Sequence, residues 1–256
     1  MICALLIFQT PVLPAPLGHL SPWLDHLTAP REQVHALLAA QRHRRFIKTH
    51  TPLDGIPLDD RVTYIVTARH PLDAAVSLYH HSMNIDLIRR RELTGQPGPT
   101  DGAARKPLRD WLLAWIAGNA DPRKVLDSLP GVMWHLSDAW ARRGEANVVL
   151  VHYDELSGDL AGQMRRLAGR LGIAVPEPAW PGLVRAAAFD RMRANADQFV
   201  PAGGILKNNT GFFRRGRPGA AREILSENEI AAYRTRVAQL APPDLIAWLH
   251  QGQGQD

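Results

Sequence analysis

Two β-branched runs stand out in a chain whose apolar residues otherwise recur with helical spacing. Arg61–Ala68 carries Val62, Thr63, Ile65, Val66 and Thr67, which predicts a strand. Asn147–His152 reads NVVLVH, and its unbroken apolar character predicts a strand buried on both faces. A shorter run, Arg45–Thr49, predicts a third strand that Pro52 ends soon afterwards. Between and after these runs the period changes to 3.6. Helices are predicted over Thr28–Gln41, from Pro71 through about Arg90, and over Pro107–Ile116, Val132–Arg142, Leu156–Leu171 and Leu183–Ala196. A last long helix is predicted after Ser226, where Glu229 completes a capping-box pattern. Met1–Phe8 (MICALLIF) reads as a buried helix, and it is too short to span a bilayer. The Pro-rich stretch Pro11–Pro22 predicts an extended connector. Thr94–Lys106 and Asp197–Gly219 predict loops, the former suited to a lid. Strands alternating with helices predict an α/β fold with a parallel sheet flanked by helices. The length, 256 residues, fits a single domain over 1–256.

Composition narrows the class. With 45% hydrophobic and 21% charged residues the chain can build a sizeable core. The net charge of +5 is carried mostly by Arg, which favours bidentate contact with phosphate or sulfate oxygens. A small polyanionic ligand fits this charge. Nucleic acid is the competing partner, but the basic residues are dispersed and no aromatic-interleaved basic block exists, so no nucleic-acid partner is expected. Cys3 is the only cysteine, which excludes an intramolecular disulfide and a CxxC-type zinc site and agrees with a reducing cytoplasm. No metal site, signal peptide or membrane partner is expected.

The strand ends deliver polar groups. Lys48 and His50 are two apart, so on a strand they share a face, near the carboxyl end where open α/β sheets bind ligands. A neutral His there can take a hydroxyl proton while a Lys stabilises developing negative charge. With 11 histidines in the chain, a structural His50 is the plain alternative. Arg69 ends the second strand, two residues before a helix start where backbone N–H groups favour a phosphate, and Ser77 lies eight residues beyond it. Tyr153 follows NVVLVH and could meet a base or ribose. Arg214, Arg215, Gly216 and Arg217 form a basic turn, FFRRGRPG, which suits a phosphate clamp but equally a solvated loop.

In this order the segments KTHTP (Lys48–Pro52), ARHPLDAAVS (Ala68–Ser77), VHYDEL (Val151–Leu156), AAFDRM (Ala187–Met192) and RRG (Arg214–Gly216) resemble the PAPS-dependent sulfotransferases of the cytosolic type. The resemblance implies a nucleotide-kinase-like, P-loop NTPase-like sulfotransferase fold. It also implies transfer of a sulfuryl group from PAPS to a hydroxyl or amine of a small acceptor, with PAP as product. His50 matches the base, and Lys48 the group beside the transferring sulfuryl. Arg69 and Ser77 match the pair on the nucleotide 3′-phosphate, Tyr153 and Phe189 the adenine-side contacts, and Arg214, Arg215 and Gly216 the C-terminal clamp on the same phosphate. The family's first strand and phosphate loop, of the form YPKSGTTW, are not found in this sequence, so the resemblance reads as an N-terminally truncated member. A non-catalytic remnant with weak or no nucleotide binding is the alternative function. A P-loop kinase is disfavoured because no Gly-Lys-Ser/Thr segment exists.

Overall fold

The computed structural model describes residues 1–25, 29–95, 106–200, 203–216 and 218–251. The chain divides into two compact units. The first comprises Met1–Thr51, His81–Ala103 and Asp159–Gly216, and the second Pro52–His80, Ala104–Gly158 and Arg217–Asp256.

The second unit holds the sheet. Strands β1 (Tyr64–Ala68) and β2 (Val148–His152) pair in parallel, with Tyr64 opposite Val148 and Ala68 opposite His152. Both predicted β-branched runs therefore form strands, shortened at their amino ends. Helix α4 (Pro71–Asn84) leaves β1 and carries the chain from this unit into the other. Helices α6 (Leu108–Ala117) and α7 (Leu129–Ala141) precede β2, and α12 (Glu227–Ala238) and α13 (Pro243–His250) follow later. Their apolar faces meet in one core containing Val66, Leu72, Leu112, Leu129, Met133, Val148, Tyr233, Leu245 and Leu249. Each fully buried Leu contributes on the order of 2 kcal/mol of transfer free energy, which explains why these short helices hold. The Ser226 and Glu229 capping box forms as predicted. The α12 it starts is not the last helix, because Pro243 opens α13.

The first unit contains α1 (Ile2–Phe8), α2 (Leu17–Leu20), α3 (Arg31–Ala40), α5 (Leu87–Thr94), α9 (Leu160–Arg170), α10 (Trp180–Ala187) and α11 (Phe189–Ala194). The predicted helix MICALLIF is α1, with Ala4, Leu5 and Leu6 fully buried and α10 packed on it. It closes at Gln9, which has a left-handed backbone (φ 51°) and whose side-chain amide donates to the Ala174 carbonyl at 2.8 Å.

Several expectations are corrected. Arg45–Thr49 is not a strand: Ile47 is exposed, and the run makes only an isolated bridge from Lys48 to Trp23. The connector 11–22 contains α2. The helix expected through Arg90 stops at Asn84, because Ile85 bridges Leu206 and the Asp86 carboxylate accepts from Arg89 N–H to cap α5. The helix expected over Leu156–Leu171 is two, α8 (Tyr153–Gly158) and α9, divided at Asp159, which accepts from Gly162 N–H. The one expected over Leu183–Ala196 begins at Trp180 and breaks at Ala188, whose backbone is extended (ψ 142°). Most of the predicted lid, residues 96–105, lies outside the described residues. Among the described residues no helix is long and apolar enough to cross a membrane.

Candidate active site

In the first unit, residues 22–25 run beside residues 48–51. Leu24 N–H donates to Lys48 O at 2.9 Å, and Lys48 N–H to Pro22 O at 3.3 Å. This pairing turns the side chains two apart toward one indole. The Lys48 ammonium lies 3.8 Å from the Trp23 ring centroid, within cation–π range, and the His50 ring centroid lies 4.4 Å from that of Trp23. Lys48 and His50 are thus brought together, by Trp23 rather than by a sheet.

Asp25 anchors the turn. Its Oδ2 accepts from the Thr49 hydroxyl (2.6 Å), His50 N–H (2.9 Å), Thr51 N–H (2.9 Å) and the Thr51 hydroxyl (2.7 Å). Burial works to raise the Asp25 pKa, but these donors outweigh it and hold the group down to about 2. Desolvation lowers the Lys48 pKa, with the Asp25 charge opposing. Neither Trp23 nor Asp25 emerges from sequence reasoning. The available signal was a Trp and an Asp two apart, directly after the Pro-rich connector.

In the second unit, the register that sets Ala68 opposite His152 delivers Arg69 and Tyr153 together at the carboxyl ends of the two strands. The Arg69 guanidinium carbon lies 4.4 Å from the Tyr153 ring centroid. Arg69 Nη2 also lies 3.8 Å from Oδ2 of Asp73, one turn into α4. Asp73 is buried, and its carboxylate accepts from Gly219 N–H at 2.8 Å and Ala221 N–H at 3.4 Å, tying the segment before α12 to the start of α4. Asp154 follows Tyr153 with both carboxylate oxygens buried and, among the described residues, without a hydrogen-bond partner. Burial raises its pKa, opposed by the charges of His152 and Arg69. Ser77 is exposed on α4.

Phe189 and Gly216 meet in the first unit. Gly216 has φ 66°, and a Cβ there would lie 2.7 Å from Cγ of Phe189. The Phe189 ring also makes an edge contact with buried Phe213, centroid to centroid 6.0 Å. The absent side chain lets the ring lie against the backbone of the basic turn. Arg214 is half-buried and Arg215 exposed, while Arg217 lies outside the described residues.

The chain is similar to known proteins along its length. A domain model described as "Sulfotransferase domain" matches residues 5–241. A protein named glycolipid sulfotransferase from Mycobacterium tuberculosis (strain ATCC 25618 / H37Rv) is 41% identical over 270 residues, covering 98% of this chain and 82% of that protein. Mouse sulfotransferase 1B1 is 25% identical over 181 residues, covering 68% of this chain and 54% of that protein. Among solved structures, mouse sulfotransferase SULT7A1 complexed with PAP matches with TM-score 0.71 at 18% identity, covering 98% of this chain and 82% of that one. Retinol dehydratase in complex with androsterone and inactive cofactor PAP matches with TM-score 0.65 at 22% identity, covering 90% and 74%. The two structures share the fold predicted from sequence. Identity spread over 98% of the chain does not favour a decayed remnant. With its domain model matched over residues 5–241, the chain belongs to the sulfotransferase family.

Proposed function

We propose that the whole chain works as one sulfotransferase domain, moving a sulfuryl group from PAPS to a hydroxyl of a lipid-linked sugar. The observation that carries the chemistry is Lys48 and His50 on one indole, which would set a base and a cation beside one transfer point. The glycolipid sulfotransferases, 41% identical, support the acceptor class.

His50 accepts the proton from the acceptor hydroxyl. The freed oxygen pair forms the new S–O bond, the bond from sulfur to the bridging phosphate oxygen breaks, and PAP leaves with that electron pair. Lys48 neutralises oxygens whose charge rises during the transfer, as any in-line transfer between anionic groups requires. Asp25 holds the His50 backbone through its amide, so it positions the base without touching the reacting atoms. Arg69 and Ser77 bind the 3′-phosphate, with the Tyr153 ring fixing the plane of the guanidinium. By the family resemblance Tyr153 and Phe189 are the adenine-side residues, and Arg214, Arg215 and Gly216 the C-terminal phosphate clamp.

Incubation with sulfur-labelled PAPS and parallel panels of glycolipids and simple phenols tests this reading. Label should enter a sugar hydroxyl. Label confined to phenols would overturn the acceptor class, and no label above the blank with any acceptor would overturn the activity.

A further inference from the structure

Helix α5 (Leu87–Thr94) buries none of its residues, although a helix of eight residues is marginal without packing. It is held at its ends and along one side. Asp86 caps its start, and Gly95 (φ 63°) closes it by donating to Arg91 O. On one face, Arg89 Nε donates to Gly203 O at 3.0 Å, and Leu93 lies where a Cβ on Gly203 would come within 3.1 Å of it. Around the rest of the helix Ile88, Arg90 and Arg91 are exposed, with Leu87 half-buried between them. Ile88 is 58% exposed.

The adjoining segment 203–212 continues this surface. It follows residues 81–89 through the bridge of Ile85 with Leu206, the bond from Asn84 Nδ2 to Asn208 O at 2.7 Å, and the edge contact of His81 with Phe212 at 5.7 Å. Met83 and Phe212 are exposed as well. The charge is net positive, with the Asp197 carboxylate engaged as acceptor from Asn209 Nδ2 at 2.7 Å. Arg89 pairs with Glu92 at 2.9 Å and Asp86 is engaged as the cap, whereas Arg90, Arg91 and Lys207 have no ion-pair partner among the described residues. Exposed bulky apolar residues interleaved with uncompensated cations fit the boundary between headgroups and acyl chains, where arginines meet phosphates and apolar side chains insert.

We propose that α5 and residues 203–212 dock this protein on an anionic lipid surface. The function of that docking rests on the glycolipid reading above: an acceptor whose lipid part stays in a bilayer requires the enzyme to come to it. The docking itself is measured independently of transfer.

The experiment is sedimentation of the full chain with vesicles of 7:3 phosphatidylcholine and phosphatidylglycerol, compared with phosphatidylcholine alone. Binding to the anionic vesicles is expected, weakening as salt rises. Arg90→Gln with Arg91→Gln should reduce it at least about tenfold, since each cation near such a surface adds roughly a factor of five. Ile88→Ser should reduce it while leaving the salt dependence in place. PAP affinity should stay as in the wild type in both variants, showing that the fold is intact. Binding that is absent, equal on neutral vesicles or unchanged in the variants overturns the proposal, and the last outcome moves any docking surface elsewhere. A wild type that sulfates glycolipid in detergent yet ignores vesicles contradicts the docking alone. One that binds vesicles but sulfates no glycolipid contradicts the acceptor class alone.

Discussion

The Arg69 guanidinium lies 4.4 Å from the centre of the Tyr153 ring, although 84 residues separate the two in sequence. The pairing of Ala68 with His152 produces this contact, because each of the two residues directly follows a paired strand end. If the ring orients the guanidinium for the 3′-phosphate, Tyr153→Phe should preserve PAP affinity more closely than Tyr153→Leu. Arg69→Lys should behave as a loss, since an ammonium lacks the planar fork. Calorimetric titration with PAP and with a nucleotide lacking the 3′-phosphate checks this. Arg69→Lys should weaken PAP about tenfold or more and the second nucleotide little. Equal losses for both would remove the phosphate role.

Gly216 and Gly172 provide a matched pair. Their φ values are 66° and 64°, but a Cβ on Gly216 strikes the Phe189 ring whereas one on Gly172 meets nothing within 4 Å. Gly172→Ala should cost only the left-handed backbone penalty, about 1 kcal/mol. Gly216→Ala should cost that and displace the ring, lowering PAP affinity about tenfold as well. Thermal melting and PAP titration of both variants decide it, and identical PAP affinities would show that the Phe189 contact is not part of nucleotide binding.

Asp25 accepts four hydrogen bonds from Thr49, His50 and Thr51. Asp25→Ala should lower kcat on the order of tenfold or more by loosening the base, with PAP affinity unchanged. Asp25→Asn, which keeps an acceptor oxygen, should recover part of the loss. With the carboxyl held to about 2, this group adds no pH dependence to kcat between pH 5 and 8. A fall in PAP affinity equal to the fall in kcat would instead mean that the first unit is unfolding.

His70 and His250 make the second unit acid-sensitive. Their rings stack at 4.6 Å, His250 is hydrogen-bonded to the Tyr233 hydroxyl at 3.0 Å, and His70 Nδ1 accepts from Leu72 N–H to cap α4. Burial first, then neighbouring positive charge, lowers His70 to about 3 and His250 to about 4. Both folded-state values lie below the unfolded value near 6.5, so the unfolded chain binds more protons and stability falls with pH. The stability they contribute is complete above about pH 6.5 and is lost as pH falls through 4 toward 3. Melting temperature should be flat from pH 8 to 7 and decline below about 6. His70→Asn, which keeps a capping side chain, should flatten that decline. An unchanged acid limb in the variant would place its origin elsewhere.

The legible parts of the fold were those set by local chemistry. Val148–His152 and Tyr64–Ala68 were readable because β-branched residues announce a buried strand. The breaks at Asp86 and Asp159 had a readable signal, an Asp three residues before an amide it accepts from, whereas Ala188 offers none. The spacing of Lys48 and His50 on one face was legible. The absence of a strand was not, because what aligns them is Trp23, 25 residues earlier than Lys48. Asp73 illustrates the same limit: its first-turn position was visible, but its bonds to Gly219 and Ala221, 146 and 148 residues away, were not.

The proposed role of His50 is to take the acceptor proton during sulfuryl transfer from PAPS. The most direct measurement is turnover of sulfur-labelled PAPS with a glycolipid acceptor by the wild type and His50→Ala, with PAP affinity measured in parallel. The wild type should yield sulfated glycolipid and PAP in equal amounts, the variant should lose about 10²–10⁴ in rate, and PAP affinity should be the same in both. Comparable turnover by both would contradict it.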